Sequence, residues 1–331
     1  MKMCHSYFKG RTPTKCDIPF RTDSQVEDDY ASASQCSPSD LLKLERQHGA
    51  PFRSLHGEVQ HVATQSRPDI AYAAHRNGMF QSFQCALAFQ EMDRIYRCLH
   101  HHPLKPLVFP KQPMPSNGNP LTAPRILRAI WSKNDVDEYE FSSGLEAWPD
   151  AGHAREKALR CSHGGVIHTI LGTSIAWKVF KLAVPLHSTD AEVRVCLLAV
   201  KRTKQHRLFL EHLGIPCPDP TPLHEDNSAV ISPVKANKIT SRMRHVDIPL
   251  CCMHNEYNLQ TFDIGHCPSK IMITNFLTKP LSAPSLARET AFAMGHMHLQ
   301  TIGEDHFNRL TSRNSVSTTS HYVPTFKDNV S

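Results

Sequence analysis

The spacing of apolar residues changes several times along the chain, and each change marks a segment. Over residues 1–50 no period is sustained: Pro13, Pro19 and Pro38 fall among Ser and Asp, with an acidic cluster at Glu27-Asp28-Asp29, which predicts an extended N-terminal strap. From Pro51 to Pro110 the texture is helical. Ile70, Ala71, Ala74, Phe80 and Phe83, then Ala86, Phe89, Met92, Ile95, Tyr96 and Leu99, recur at the helical period and predict two helices, the second stopping before Pro103. Seven prolines between 103 and 125 then predict a linker, placed at 111–134.

From 135 to 300 strands and helices alternate. Strands are predicted at Leu145 to Asp150, Gly165 to Leu171 and Ser174 to Val179, with Gly172-Thr173 as a tight turn that makes the three antiparallel. A long helix follows: Thr189 is a good N-cap, Asp190 and Glu192 fill the first turns, and Val193, Cys196, Leu197, Val200, Leu208 and Leu213 carry an apolar stripe until Gly214 and Pro216 end it. A strand near Leu223, a helix from Ser228, a basic loop or helix through Ser241 to His245, a strand at Leu259 to Ile264 and a helix spanning Asn275 complete the pattern. Pro233 and Pro249 fall inside stretches that otherwise read as helical. Residues 301–331 read as a flexible tail.

Composition narrows the class. With 331 residues and 40% apolar content the chain is long enough for about two domains with a buried core. The net charge of +6, with 22 His in reserve, is compatible with a polyanionic partner without demanding one. Eleven Cys are scattered with no C-x-x-C pair, which predicts reduced thiols in an intracellular protein. The start Met1-Lys2-Met3-Cys4-His5 has no apolar signal core, and Val195 to Val200 is the best uninterrupted apolar run, so a soluble chain is expected, in cytoplasm or nucleus. Neither His100-His101-His102 nor the group Cys251, Cys252, His254, His266 and Cys267 has the two well-spaced ligand pairs of structural zinc.

Four short stretches carry the chemistry: Trp148 to Ala154 around Asp150, His187 to Glu192, His224-Glu225-Asp226-Asn227, and Thr274 to Pro280. Their order Asp, Glu, Asp resembles the carboxylate order of the ribonuclease H domain of copia-type (Ty1/copia) retrotransposon polyproteins. Other blocks agree. Ser66 to Ala73 resembles the Thr-Arg-Pro-Asp-Ile-Ala-Tyr segment after the reverse transcriptase palm, and Arg94 to Leu99 resembles the helix that follows it. Ile175 to Lys178, Ser241 to Ile248 and Leu277 to Leu281 match further family blocks, so the likeness covers roughly residues 45–290. No Tyr-x-Asp-Asp motif of a polymerase palm occurs.

The resemblance implies an α/β fold, a ribonuclease H-like mixed five-stranded sheet flanked by helices over 135–300, preceded by a small helical thumb or connection-like region over 51–110. It implies Mg²⁺ or Mn²⁺ as cofactor, RNA–DNA hybrid or other nucleic acid as partner, and an upstream reverse transcriptase palm if the chain belongs to a larger polyprotein. Asp150, Glu192 and Asp226 take the metal-ligand roles, while Asn275 stands where the pattern Ala-Asp-x-x-Thr-Lys-Pro puts the fourth aspartate. Asp190 is taken as structural. His266, between the last strand and Asn275, is in the place of a histidine that assists turnover in cellular ribonucleases H. Chemistry supports the carboxylates: hydrolysing a phosphodiester requires an oriented water and neutralised phosphoryl charge, which two Mg²⁺ supply when hard oxygen ligands converge. Asp150 and Asp226 at strand ends and Glu192 at a helix start meet this need if strands one and four are parallel neighbours. Lys235, Lys238, Arg242, Arg244 and His245 form a basic run suited to phosphates. The alternative is a non-catalytic nucleic-acid-binding remnant with the same fold.

Overall fold

A computed structural model describes residues 2–9, 12–109, 144–152, 161–182, 185–215, 217–237 and 241–296. The expected linker at 111–134, the tail at 301–331 and Lys238 lie outside the described residues.

Five strands form one mixed sheet. β1 (Leu145–Gly152), β2 (Ser162–Ile170) and β3 (Thr173–Leu182) are antiparallel neighbours, and β4 (Thr221–Glu225) and β5 (Phe262–His266) extend the other edge in parallel, giving the order β3-β2-β1-β4-β5. The β2–β3 turn is Leu171-Gly172, one residue earlier than expected. Both have positive φ, +53° and +79°, the two-residue geometry whose twist matches the flanking strands, and Thr173 already pairs with Ile170.

Alternation along the strands feeds two cores. Ala147, Val166, Leu223, Phe262 and Ile264 face the long helix Ser188–His212 and the helices Ser228–Ala236 and Asp247–Asn258. Trp148 and Ile167 face the opposite way, into a second core with the N-terminal helices and the loop carrying Met272, Phe276 and Leu277.

The N-terminal strap is corrected. Residues 1–50 hold three helices, α1 (Lys2–Phe8), α2 (Val26–Ser32) and α3 (Pro38–His48), and join the core with α4 (Phe52–Gln65), α5 (Ala71–Asn77) and α6 (Ala86–His101). Helices of seven residues with only two inward positions, as Val26 and Tyr30 in α2, are too short to show a period. Glu27 of the acidic cluster makes two 3.0 Å bonds to the guanidinium of Arg76, which is buried over the Tyr30 ring. Region 51–110 holds three α-helices where two were expected, because Pro68 breaks the run and Gly78–Gln81 tightens to a 3-10 turn. The last helix ends before Pro103 as expected.

Among the described residues the remaining helices are α7 (Ser188–His212), α8 (Ser228–Ala236), α9 (Asp247–Asn258) and α10 (Ala283–Ala293). His187, and not Thr189, caps α7: its Nδ1 accepts the N–H of Asp190 at 3.2 Å. Pro249 sits in the first turn of α9, where an N–H has no intrahelical partner in any case, while α8 runs through Pro233. β5 begins at Phe262, because α9 continues to Asn258 and Gln260 turns the chain at φ +57°. Asn275–Leu277 is a single 3-10 turn stopped by Pro280, so the expected helix there is displaced to α10. Among the described residues no helix is long and apolar enough to cross a membrane.

Glu27→Ala leaves the buried Arg76 charge without its carboxylate and is expected to cost about 3–5 kcal/mol of stability, read by urea unfolding followed by circular dichroism. An unattached N-terminal strap would show no change.

Candidate metal centre

The site is built where β1, β4 and the start of α7 meet. Asp150 lies near the end of β1, opposite Gly165 of β2. Two glycines let the loop 274–278 close over this strand end. A Cβ on Gly152 would stand 2.6 Å from the Thr278 carbonyl oxygen, and one on Gly165 would meet Leu277 and Thr278 at 2.8 and 2.9 Å. With that approach open, Thr274 Oγ1 donates to the Trp148 carbonyl at 2.9 Å and Thr278 Oγ1 donates to Asp150 Oδ2. The ammonium of Lys279 stands 3.7 Å from Asp150 Oδ1.

Glu192 comes from the second turn of α7, which packs against β1 and β2. Asp226 follows the last residue of β4, and its Oδ2 accepts from Ser269 Oγ at 2.6 Å. One carboxylate oxygen from each of Asp150, Glu192 and Asp226 lies within 4.8 Å of the others. Among the described residues this is the group of three or more His, Cys, Asp or Glu arranged to hold a metal ion.

Burial, reinforced by the charges of Glu225, Asp150 and Asp226, pushes the Glu192 carboxyl well above the usual carboxylate range. Its Oε2 is buried with no hydrogen-bond partner. An orphaned hard oxygen beside two other carboxylates is the donor set a divalent cation takes, so these residues fit a Mg²⁺ or Mn²⁺.

The amide nitrogen of Asn275 is engaged within its own loop and with Glu289. Its Nδ2 donates to the carbonyls of Ser269 at 3.1 Å and Met272 at 2.8 Å, and reaches Glu289 Oε1 at 3.5 Å. Glu289 Oε2 accepts the N–H of Phe276 at 3.1 Å. Burial raises the Glu289 carboxyl to about 7, against the opposing pull of Arg288 and these hydrogen bonds. The loop carrying Thr278 and Lys279 is therefore tied down by an amide donor and a buried acid.

Other residues fall in mixed places. His266 closes β5 with an exposed side chain, in register with Glu225. Lys235 pairs with Asp263 at 3.3 Å across α8 and β5. Arg244 is exposed on the 3-10 turn Ser241–Val246, and His245 Nε2 approaches Asp190 Oδ2 at 3.9 Å. The backbone of Arg242 lies in the same turn.

Sequence reasoning missed two residues, Glu225 and Glu289. Glu225 is buried, its Oε1 taking the Asn227 N–H at 3.0 Å and its Oε2 the Cys196 thiol at 2.6 Å; burial raises its carboxyl too. It neighbours Asp226 in the matched block, which was the available signal. Glu289 had none. Asp190 is structural in a specific way: it accepts from Arg194 Nε at 2.6 Å and from the Leu186 N–H at 2.9 Å, which ties the entry loop and the basic turn to the helix bearing Glu192.

Asn275→Asp would set a carboxylate against two carbonyl oxygens and Glu289, so it is expected to destabilise the fold by about 1–3 kcal/mol. The loss should grow between pH 5 and pH 8. Glu289 binds its proton more tightly folded than unfolded, so its contribution to stability is full at acid pH and is lost as pH rises from the ordinary carboxylate range to about 7. Urea titrations at both pH values check this, with Glu289→Gln expected to flatten the dependence; equal stability of Asn275→Asp and wild type at pH 8 would contradict the amide's role.

No protein-family profile matches the sequence. The chain is 26% identical over 231 residues to the retrovirus-related Pol polyprotein from transposon RE1 of Arabidopsis thaliana, a match covering 70% of this chain and 14% of that protein. Among solved structures it is similar to ribonuclease H1 from the archaeon Halobacterium salinarum (13% identity, 40% of this chain and 93% of that one, TM-score 0.30) and to LC11 ribonuclease H1 in complex with an RNA/DNA hybrid (11%, 40% and 93%, TM-score 0.33). At these scores the fold assignment rests on the strand order itself, three antiparallel strands extended by two parallel ones. The strand order is ribonuclease H-like, and with the sequence match it supports a ribonuclease H region similar to part of a retrotransposon Pol polyprotein.

Proposed function

We propose that the chain is the ribonuclease H of a copia-type element, a divalent-metal-dependent nuclease that cuts the RNA strand of RNA–DNA hybrids. The observation that carries this reading is the meeting of Asp150, Glu192 and Asp226 within 4.8 Å, from two strand ends and a helix, around an orphaned Glu192 oxygen. Bound there, Mg²⁺ or Mn²⁺ would neutralise charge on the transferring phosphoryl group and lower the pKa of a water. The chain's residues do the positioning. Thr278 fixes one oxygen of Asp150 and Ser269 one oxygen of Asp226, so each carboxylate presents its other oxygen in a set direction. Burial among like charges raises the Glu192 carboxyl, and a cation held there would favour its ionised form.

Arg244 and His245, on the turn anchored through Asp190 to the same helix, would meet the hybrid's phosphates, with Arg242 and Lys238 extending the run. Lys235 is directed to Asp263 and would contribute less. His266, exposed beside the strand end that precedes Asp226, would assist turnover. The match to 14% of the polyprotein fits a palm domain preceding this region in a longer product.

One observation favours the second reading, a nucleic-acid-binding remnant. The fourth carboxylate position is an asparagine whose amide holds the Ser269 and Met272 carbonyls. A labelled RNA–DNA hybrid separates the two. Wild type is expected to cut the RNA strand weakly at millimolar Mg²⁺ and Asp150→Asn to lower the rate by about 100-fold or more. Arg244→Ala should reduce the log–log salt slope of hybrid affinity by about 0.9. Tight, salt-dependent binding with no cleavage in either Mg²⁺ or Mn²⁺ would establish the remnant instead.

A further inference from the structure

Two-ion phosphodiester chemistry places its cations about 3.5–4 Å apart, bridged by a shared carboxylate and flanked by further ones. Asp150 is one of the three candidate ligands, and both its oxygens already face donors of the chain: the Thr278 hydroxyl on one, the Lys279 ammonium at 3.7 Å on the other. The segment that should bring a fourth carboxylate brings none. Asn275 turns its amide to Ser269 and Met272, and Glu289 is occupied by the Phe276 N–H and that same amide. What the segment does bring is a positive charge, on a side chain only 25% exposed.

Charge balance points the same way. Asp150, Glu192 and Asp226 carry −3 when ionised, and Lys279 returns +1, which leaves −2, the complement of one divalent cation. Glu225 is not part of this donor set, since its two oxygens are taken by Cys196 and Asn227. A second divalent ion would add +2 in a buried setting where like charges a few ångström apart repel by several kcal/mol.

The geometry points to Lys279 as a built-in cation standing in the second ion's place, so that Asp150, Glu192 and Asp226 hold a single divalent ion. This inference rests on the nuclease reading and extends it to the number of ions. The Lys279 ammonium steadies the emptied carboxylate cluster and, by its own charge, sets the affinity of the one ion that binds.

Isothermal titration of the full chain with Mn²⁺ tests it without an activity assay. Wild type is expected to take one Mn²⁺ per chain. Lys279→Met keeps the length of the side chain and removes its charge, so ion affinity should rise by about 10-fold; Lys279→Arg should keep wild-type stoichiometry and affinity. Circular dichroism of each variant confirms the fold, and the Arg variant keeps the test valid if the Met variant does not fold. Two ions of comparable affinity in wild type would overturn the inference and leave the nuclease reading standing, as would unchanged affinity in a folded Lys279→Met or a doubled stoichiometry in Lys279→Arg. A folded wild-type chain that takes no Mn²⁺ would overturn the nuclease reading itself.

Discussion

Three carboxylates within 4.8 Å of one another, in a buried setting, repel, and much of the surrounding structure exists in relation to that repulsion. The strands fix two of them, the parallel pairing of β1 and β4 setting Asp150 and Asp226 side by side, while α7 delivers the third. Thr278, Ser269 and Lys279 each supply a donor or a charge to one member. Glu192 is left with an unpartnered oxygen, and its raised carboxyl is the local record of the conflict. Such an arrangement is costly as a structural element and useful as a binding site, a common pattern where pKa values are strongly displaced.

The loop that relieves the cluster is held from outside it. Gly152 and Gly165 leave room for it, and the Asn275 amide and Glu289 carboxyl pin its path. Beneath it, Met272, Phe276 and Leu277 enter the same core as Trp148, Ile167 and the N-terminal helices. The Trp177 indole donates to the Ala63 carbonyl at 2.7 Å, so β3 is bonded to the end of α4. Packing of the helical region is thus connected, through one contiguous core, to the loop that positions Thr278 and Lys279.

Much of this was legible in the sequence because the ligands sit inside contiguous blocks at element ends. Asp150 follows an apolar run, Glu192 opens the long helix, and Asp226 precedes an Asn that caps the next one, its Oδ1 accepting the Ala229 N–H at 3.0 Å. The condition for their meeting, that β1 and β4 be parallel neighbours, holds. The N-terminal helices were not legible, since the two seven-residue helices bury too few positions to leave a period and α3 buries none, while contacts such as the Glu27–Arg76 ion pair join residues 49 apart. Asn275 was readable as a departure from the family pattern, whereas the direction of its amide depends on a loop and on Glu289, which no local spacing links to it. The Leu171-Gly172 turn was displaced by one because an apolar residue in a left-handed conformation looks like strand.

Two strand ends and a helix start bring three carboxylates to one site that fits a cation. A crystal structure of the full chain soaked in Mn²⁺, with anomalous scattering to locate the ion, tests it most directly. An anomalous peak coordinated by Asp150, Glu192 and Asp226 together is expected. A peak that touches only one of them, or none between these side chains in a crystal of the folded chain, would contradict it.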